Sequence, residues 1–246
     1  MAGFFGWLFG RAETAANAAE PQTTDQIVSL DDPRYESYAS SRRSYWEKIG
    51  AVDSDVIAYL VSPEFQGAPA WPTTRQAFMV TRTANSLIIA SDGMSDLFVD
   101  TDMQDAGFGC EVYIEVADMG AATFEEIRRS WAFSLIENFA RNVADRGGIA
   151  DDVERLGVIS MEMPAPAEID KSWVSANGSV GVLIGIATEG REPKLRLDDV
   201  NEILMVPITV ISPKELDFVM EGRAVARNEI ASKLSAKSDL SRKSTI

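Results

Sequence analysis

Apolar positions recur along this chain in two rhythms, and each change of rhythm marks an element. Tyr35, Tyr38, Tyr45, Trp46 and Ile49 follow a helical spacing that opens at Asp32-Pro33 and stops at Gly50. Residues 56–61 form a short apolar run that fits strand or helix, after which Pro63, Pro69 and Pro72 impose an irregular loop around Trp71. Residues 77–81 and 87–90 are strand-like, and the polar link from Arg82 to Ser86 between them predicts a hairpin. Residues 110–116 alternate, with Val112, Ile114 and Val116 on one face and Glu111, Tyr113 and Glu115 on the other. That alternation predicts a strand with one covered and one wetter face.

The second half returns to the helical period. Thr123 followed by Glu126 is a capping box, and Ile127, Trp131, Leu135, Ile136, Phe139 and Val143 form an apolar stripe behind it. One helix is predicted here, closed by Gly147-Gly148. A Met-Pro stretch (161–166) has no assigned element, and Asn177-Gly178 offers a turn before a strand over 180–187. Residues 202–211 read as another strand, which Pro207 assigns to an edge or a bulge. Ser212-Pro213-Lys214-Glu215 opens a last helix, with Leu216, Val219 and Met220 expected inward and a run past Gly222 towards Leu234. Without regular strand–helix alternation or an internal repeat, the pattern predicts an α+β fold: one mixed or antiparallel sheet layered with helices. It divides the chain into a leader (1–26), a single domain (27–232) and a Ser/Lys-rich tail (233–246) expected to fray.

Charge narrows the functions open to such a domain. Lys and Arg number 23 against 38 for Asp and Glu, a net charge of −15 that argues against nucleic-acid binding. Between Arg82 and Arg128 there is no basic residue, while ten acids occur. Such a run is either a solvated face or a docking face for a basic protein. On the second reading Asp96, Asp100, Asp102, Asp105 and Glu111 are the candidate partner-binding residues. Cys110 is the only cysteine, so a disulfide framework is absent and a reducing, cytoplasmic setting is expected, with the thiol buried in its strand. In the leader, Phe4, Phe5, Trp7 and Leu8 belong to an apolar run too short to span a bilayer and without the basic start of a secretory signal. They read either as a loose terminus or as an aromatic foot for peripheral membrane or partner contact.

Little catalytic chemistry is legible. The chain contains no histidine, which removes imidazole-based nucleophilic mechanisms and the common zinc sites. No phosphate loop or dinucleotide fingerprint occurs, since Gly107 and Gly109 precede a strand rather than a helix. Asp100, Asp102, Gln104 and Glu111 fit positions of a calcium loop, but Asp105 stands where its glycine is required and Glu111 belongs to a strand. Paired carboxylates stay open as an acid–base site, since acids are plentiful, but no site is recognisable and the expectation is a non-enzymatic protein with no cofactor, metal or catalytic residue.

Several segments carry a family resemblance. Asp92-Gly93-Met94-Ser95-Asp96-Leu97 and Gly107-Phe108-Gly109-Cys110-Glu111-Val112 resemble consecutive steps of the Suppressor of fused family. Residues 181–189 and 201–207, the latter ending in Val-Pro before Ile208, resemble later strands of the same family. The resemblance covers residues 75–222 and implies one Suppressor-of-fused-like domain that acts by holding other proteins. The second domain of the animal protein has no counterpart here, so its peptide clamp does not carry over. Stand-alone bacterial versions have been proposed as immunity proteins that neutralise toxins, and the resemblance implies that role. A structural or regulatory adaptor docked by the aromatic leader is the alternative. Within the motifs, Gly93, Ser95, Gly107 and Gly109 read as fold-defining turns, with Ser95 or Asp96 expected to satisfy turn amides.

Overall fold

The structure, a computed structural model, describes residues 27–117, 119–188 and 190–246. The leader, with Phe4, Phe5, Trp7 and Leu8, lies outside the described residues. In chain order the elements are α1 (Arg34–Glu47), β1 (Ala51–Val52), β2 (Ile57–Ala58), a 3-10 turn (Pro63–Gln66), β3 (Ala77–Arg82), β4 (Ser86–Asp92) and β5 (Cys110–Ala117). There follow α2 (Phe124–Arg128), α3 (Trp131–Arg146), α4 (Ala150–Leu156), β6 (Ile159–Pro164), a 3-10 turn (Lys171–Trp173), β7 (Ser179–Ile184), β8 (Lys194–Arg196), β9 (Glu202–Ile211), α5 (Pro213–Lys233) and β10 (Lys237–Ser238). Among the described residues the strands join one mixed sheet in the order β1-β3-β4-β5-β9-β7-β6, an α+β fold. The β3–β4 hairpin is antiparallel from Ala77↔Asp92 to Arg82↔Leu87, while β5 and β9 run parallel.

Both faces of the central strands are buried, which corrects the expectation of a wetter face. Val112, Ile114 and Val116 pack under Ile127, Leu135, Ile136, Phe139 and Val143 of α2 and α3. Each such fully buried side chain contributes about 1.5–3 kcal/mol, so this stripe outweighs the caps that bound it. On the opposite face Tyr113 packs with Tyr38, Tyr45 and Trp46 of α1. Beside α1, α5 covers the β7–β9 end of the same face through Leu216 and Val219 on Leu183 and Ile211. The charged partners of Tyr113 along β5, Glu111 and Glu115, are therefore sealed in: neither is more than 7% exposed.

Several other expectations change for local reasons. The stripe read as one helix is two, because Ser130 takes an extended conformation and caps α3 through Phe133 N at 3.1 Å. The Met-Pro stretch forms part of β6, which pairs in register with β7 from Ile159↔Ile184 to Pro164↔Ser179. Pro207 lies in the middle of the sheet. The amide of Leu204 donates towards β5 and that of Met205 to Pro193 on the other side; by alternation the imide nitrogen of Pro207 faces that other side. There β8 pairs only as far as Leu204 and β7 begins at Ile208, so no partner strand awaits an N–H. Along α5, Leu216 and Val219 are buried but Met220 is 62% exposed, and the helix breaks at Arg223 (φ 51°).

The tail does not fray. From Leu204 to Ile208 β9 follows β5, and then it diverges to pair with β7. β10 enters the fork, pairing parallel with β5 at Lys237↔Glu115 and Ser238↔Val116. On its other side Thr209 Oγ1 donates to Ala236 O at 3.0 Å and Val210 N donates to Ser238 Oγ at 3.1 Å. Beyond it the carboxylate of Glu215, on α5, binds the Arg242 guanidinium through both oxygens, at 2.7 and 2.6 Å. A segment whose composition suggests disorder is thus held by the backbone groups that the fork leaves open.

Candidate functional site

Helical spacing places Arg42 on the same stripe of α1 as Tyr38, Tyr45 and Trp46, so its guanidinium enters the core with them. Its side chain is 0% exposed. Nε donates to Asp92 Oδ1 at 2.7 Å, Nη2 to Asp96 Oδ1 at 2.8 Å and Nη1 to Ser95 Oγ at 3.1 Å, while Glu111 lies 3.6 Å from Nε. Arg75, half-exposed at the rim, binds the other oxygen of Asp92. Glu111 Oε1 accepts from the amides of Gly93 (3.1 Å) and Ser95 (3.0 Å) and from Ser95 Oγ (2.7 Å), and its Oε2 accepts from Ser91 Oγ. The Asp92–Asp96 turn is therefore the seat of the α1 arginine. Its amides are satisfied by Glu111 from β5, and Ser95 and Asp96 face Arg42 instead, which corrects the role expected of them.

The turn glycines serve this packing. Gly93 adopts φ 131°, and at Gly107 (φ 43°) a Cβ would stand 2.4 Å from Met94 O and 2.5 Å from Asp96 O. Only glycine lets the 107–109 segment lie against the 93–97 turn and lead into β5. Gly109 (φ 67°) completes that entry.

The cluster holds three carboxylates (Asp92, Asp96 and Glu111) against two guanidinium groups, Arg42 and Arg75. The excess negative charge falls on Asp96. Burial, the main cause, raises its pKa to about 6; Arg42 opposes the shift, and Glu111 and Asp92 reinforce it. A raised carboxyl pKa means that the folded state keeps a proton which the unfolded state, titrating near about 4, has lost. Stability should accordingly fall as pH rises from about 4 to about 6, by up to about 3 kcal/mol, and then level off. Asp96→Asn keeps the acceptor for Arg42 and removes the charge. We expect it to flatten that slope and to equal or exceed the parent's stability at pH 8. Urea denaturation of both proteins between pH 4.5 and 8 checks this, and parallel profiles would refute it.

The five acids named as a docking face thus separate. Asp96 and Glu111 are internal structural anchors and are not available to a partner. Asp100, Asp102 and Asp105 are exposed on the loop between the two motifs. Other acids of the base-free stretch also find counter-charges from distant sequence or helix ends. Glu115 pairs with Arg191 at 2.9 Å, Glu125 with Arg129 at 2.7 Å, and Glu126 closes the Thr123 capping box. Asp100, Asp102 and Asp105 make no ion pair among the described residues. Their loop is nevertheless fastened. Asp100 N donates to Val28 O at 2.9 Å, and the buried Asn201 accepts from Ala106 N at 3.0 Å and donates to Gln104 O at 3.2 Å. Asn201 also donates to Tyr38 OH at 2.9 Å, which ties the loop to α1. Asp100 itself sits at φ 59°, a conformation rare outside glycine, asparagine and aspartate.

Chemically the buried cluster is closed. Each of its carboxylates accepts from at least one guanidinium, hydroxyl or amide donor. Among the described residues no group of three or more acidic or cysteine side chains could hold a metal ion, and Glu111 faces the Ser95 turn rather than Asp100 or Asp102. Cys110 is buried, and burial pushes its thiol up to about 12, far from a reactive thiolate. Among the described residues no helix is long and apolar enough to cross a membrane. No protein-family model matches the chain, and no curated protein matches it.

Proposed function

We propose that the chain is a non-enzymatic, cytoplasmic protein-binding domain of the Suppressor of fused type, which neutralises a basic partner as an immunity protein does. One observation carries the reading. Once Asp92, Asp96, Glu111 and Glu115 are accounted for by internal arginines, an exposed acidic loop remains whose ends are fixed to the core. A fastened loop offers its charges at little ordering cost, and acids at a rim steer a basic surface towards it. The order of the two Suppressor-of-fused-like motifs supports the same assignment, because both motifs build the seat from which this loop projects.

The test is the triple substitution Asp100→Asn, Asp102→Asn, Asp105→Asn. Asparagine tolerates the left-handed conformation of residue 100, so the fold should persist. Capture of partners from the native lysate by the tagged parent at low salt should retain a basic protein. With the triple variant, or at high salt, its association should weaken about ten-fold or more. A partner that binds both proteins equally, at either ionic strength, excludes the acidic loop as the docking face.

A further inference from the structure

Between the end of the β8 pairing at Leu204 and the start of the β7 pairing at Ile208, no strand pairs with one side of β9, and only the Met205 N to Pro193 O and Gly185 N to Pro207 O bonds bridge it. A cavity of about 120 Å³ occupies this interval. Its wall is mostly apolar, with Ile186, Met205, Val206 and Pro207 among its residues, but Tyr113, Thr188, Arg191 and Glu192 also line it.

Arg191 is in an unusual position. Its side chain is only 9% exposed; Nη2 binds Glu115 at 2.9 Å and the guanidinium lies 5.5 Å over the ring of Tyr113. Nη1 is buried and has no hydrogen-bond partner among the described residues, and the same holds for Thr188 Oγ1. Buried polar groups are nearly always paired, so two unanswered hydrogen-bonding groups on the wall of one small apolar cavity point to an acceptor brought from outside. The charge of Arg191 is already balanced by Glu115, itself only 10% exposed at the side chain. A carboxylate ligand would add a buried charge with no counter-ion, at a large desolvation cost. A neutral carbonyl oxygen answers both donors without that cost.

We propose that this cavity binds a compact neutral molecule of about six heavy atoms, the size class that a cavity of this order accommodates. Its carbonyl oxygen accepts from Arg191 Nη1 and Thr188 Oγ1, and its apolar body rests on Met205, Val206 and Pro207. The site is separate from the acidic loop and does not depend on the protein-binding reading.

Cyclopentanone, cyclopentane and butyrate serve as probes, titrated into the isotopically labelled full chain while amide shifts are followed by NMR. Cyclopentanone should shift the amides of residues 185–188 and 205–206, and should half-saturate at a concentration about ten-fold below either of the others. Arg191→Lys keeps the charge facing Glu115 and loses Nη1; Thr188→Val loses the hydroxyl and changes no charge. Each should remove part of the ketone's advantage over cyclopentane, about three-fold or more, and the two together should bring cyclopentanone down to the hydrocarbon's affinity. No shifts at these residues, equal binding of cyclopentane, tighter binding of butyrate, or parental binding by Thr188→Val would overturn the proposal. Should Arg191→Lys fail to fold, Thr188→Val alone decides.

Discussion

Arg42→Met is expected to lose at least about 4 kcal/mol of folding stability at pH 7, a fall of roughly 10 °C or more in Tm for a chain of this size. The variant leaves Asp92, Asp96 and Glu111 in the core with only the rim guanidinium of Arg75 for compensation. Removing one partner of a buried ion pair costs about 3–5 kcal/mol, and here a single arginine serves all of these carboxylates. The origin of the loss is separable. If uncompensated charge dominates, adding Asp92→Asn and Asp96→Asn to Arg42→Met should recover much of it, because the carboxylates no longer need a cation. If lost packing of the α1 stripe dominates, the triple variant should melt no higher than Arg42→Met. Arg42→Lys falls between, since one ammonium cannot reach Asp92, Ser95 and Asp96 together as the guanidinium fork does. Thermal and urea unfolding of the series measure these differences, and an Arg42→Met protein melting within about 3 °C of the parent contradicts the assignment.

What could be read in advance follows how local each signal is. The β3–β4 hairpin, the β5 strand and the capping boxes at Thr123 and Ser212 depend on neighbours a few residues away, and their residues state them directly. Two of the five acids named for the docking face, Asp96 and Glu111, are buried instead, and the reason is the opposite. Asp96 is answered by Arg42, 54 residues away, and Glu111 by the same guanidinium and the amides of the 93–95 turn. A count of charge along the chain cannot see such partners. A trace was present, though: the spacing that marks Tyr38, Tyr45 and Trp46 as one face also includes position 42. A charged residue on an apolar helical stripe asks for buried acids elsewhere. Pro207 misled similarly. A central strand can contain proline where its two neighbours on one side end and begin, which is a property of pairing rather than of sequence. The tail was misread because composition reports what a segment cannot bury alone, and β10 is ordered by a fork that other strands create.

That fork makes the tail the second sensitive point. Arg242→Met should cost about 3 kcal/mol at pH 7, and most of this cost should vanish only as pH falls towards about 2. Burial by itself raises the pKa of Glu215, but the Arg242 fork and the amides of Thr245 and Ser212 more than offset it and hold the carboxyl at about 2. An acid whose folded pKa lies below its unfolded value of about 4.5 adds stability above that value, and loses it as the pH drops towards the folded pKa. The full contribution, about 3 kcal/mol from a shift of that size, is present at neutral pH and nearly gone near pH 2. Asp96 acts in the opposite sense between about pH 4 and 6, so the parent should be most stable in mildly acid solution. In the variant the Glu215 carboxylate, with no exposed side-chain area, must be protonated or stay ionised with only amide donors. Deleting residues 235–246 should be worse still. It removes β10 together with Arg242, reopens the fork at Thr209 and Val210, and takes away Leu240 O, to which Trp173 Nε1 donates at 2.9 Å. The exposed β5 and β9 edges then invite association with other chains. Urea unfolding of the parent and of Arg242→Met at pH 7 and pH 2.5, with light scattering on the truncation, tests the set. A cost for Arg242→Met that is equal at the two pH values would show that the tail is held by packing alone and that its ion pair contributes nothing.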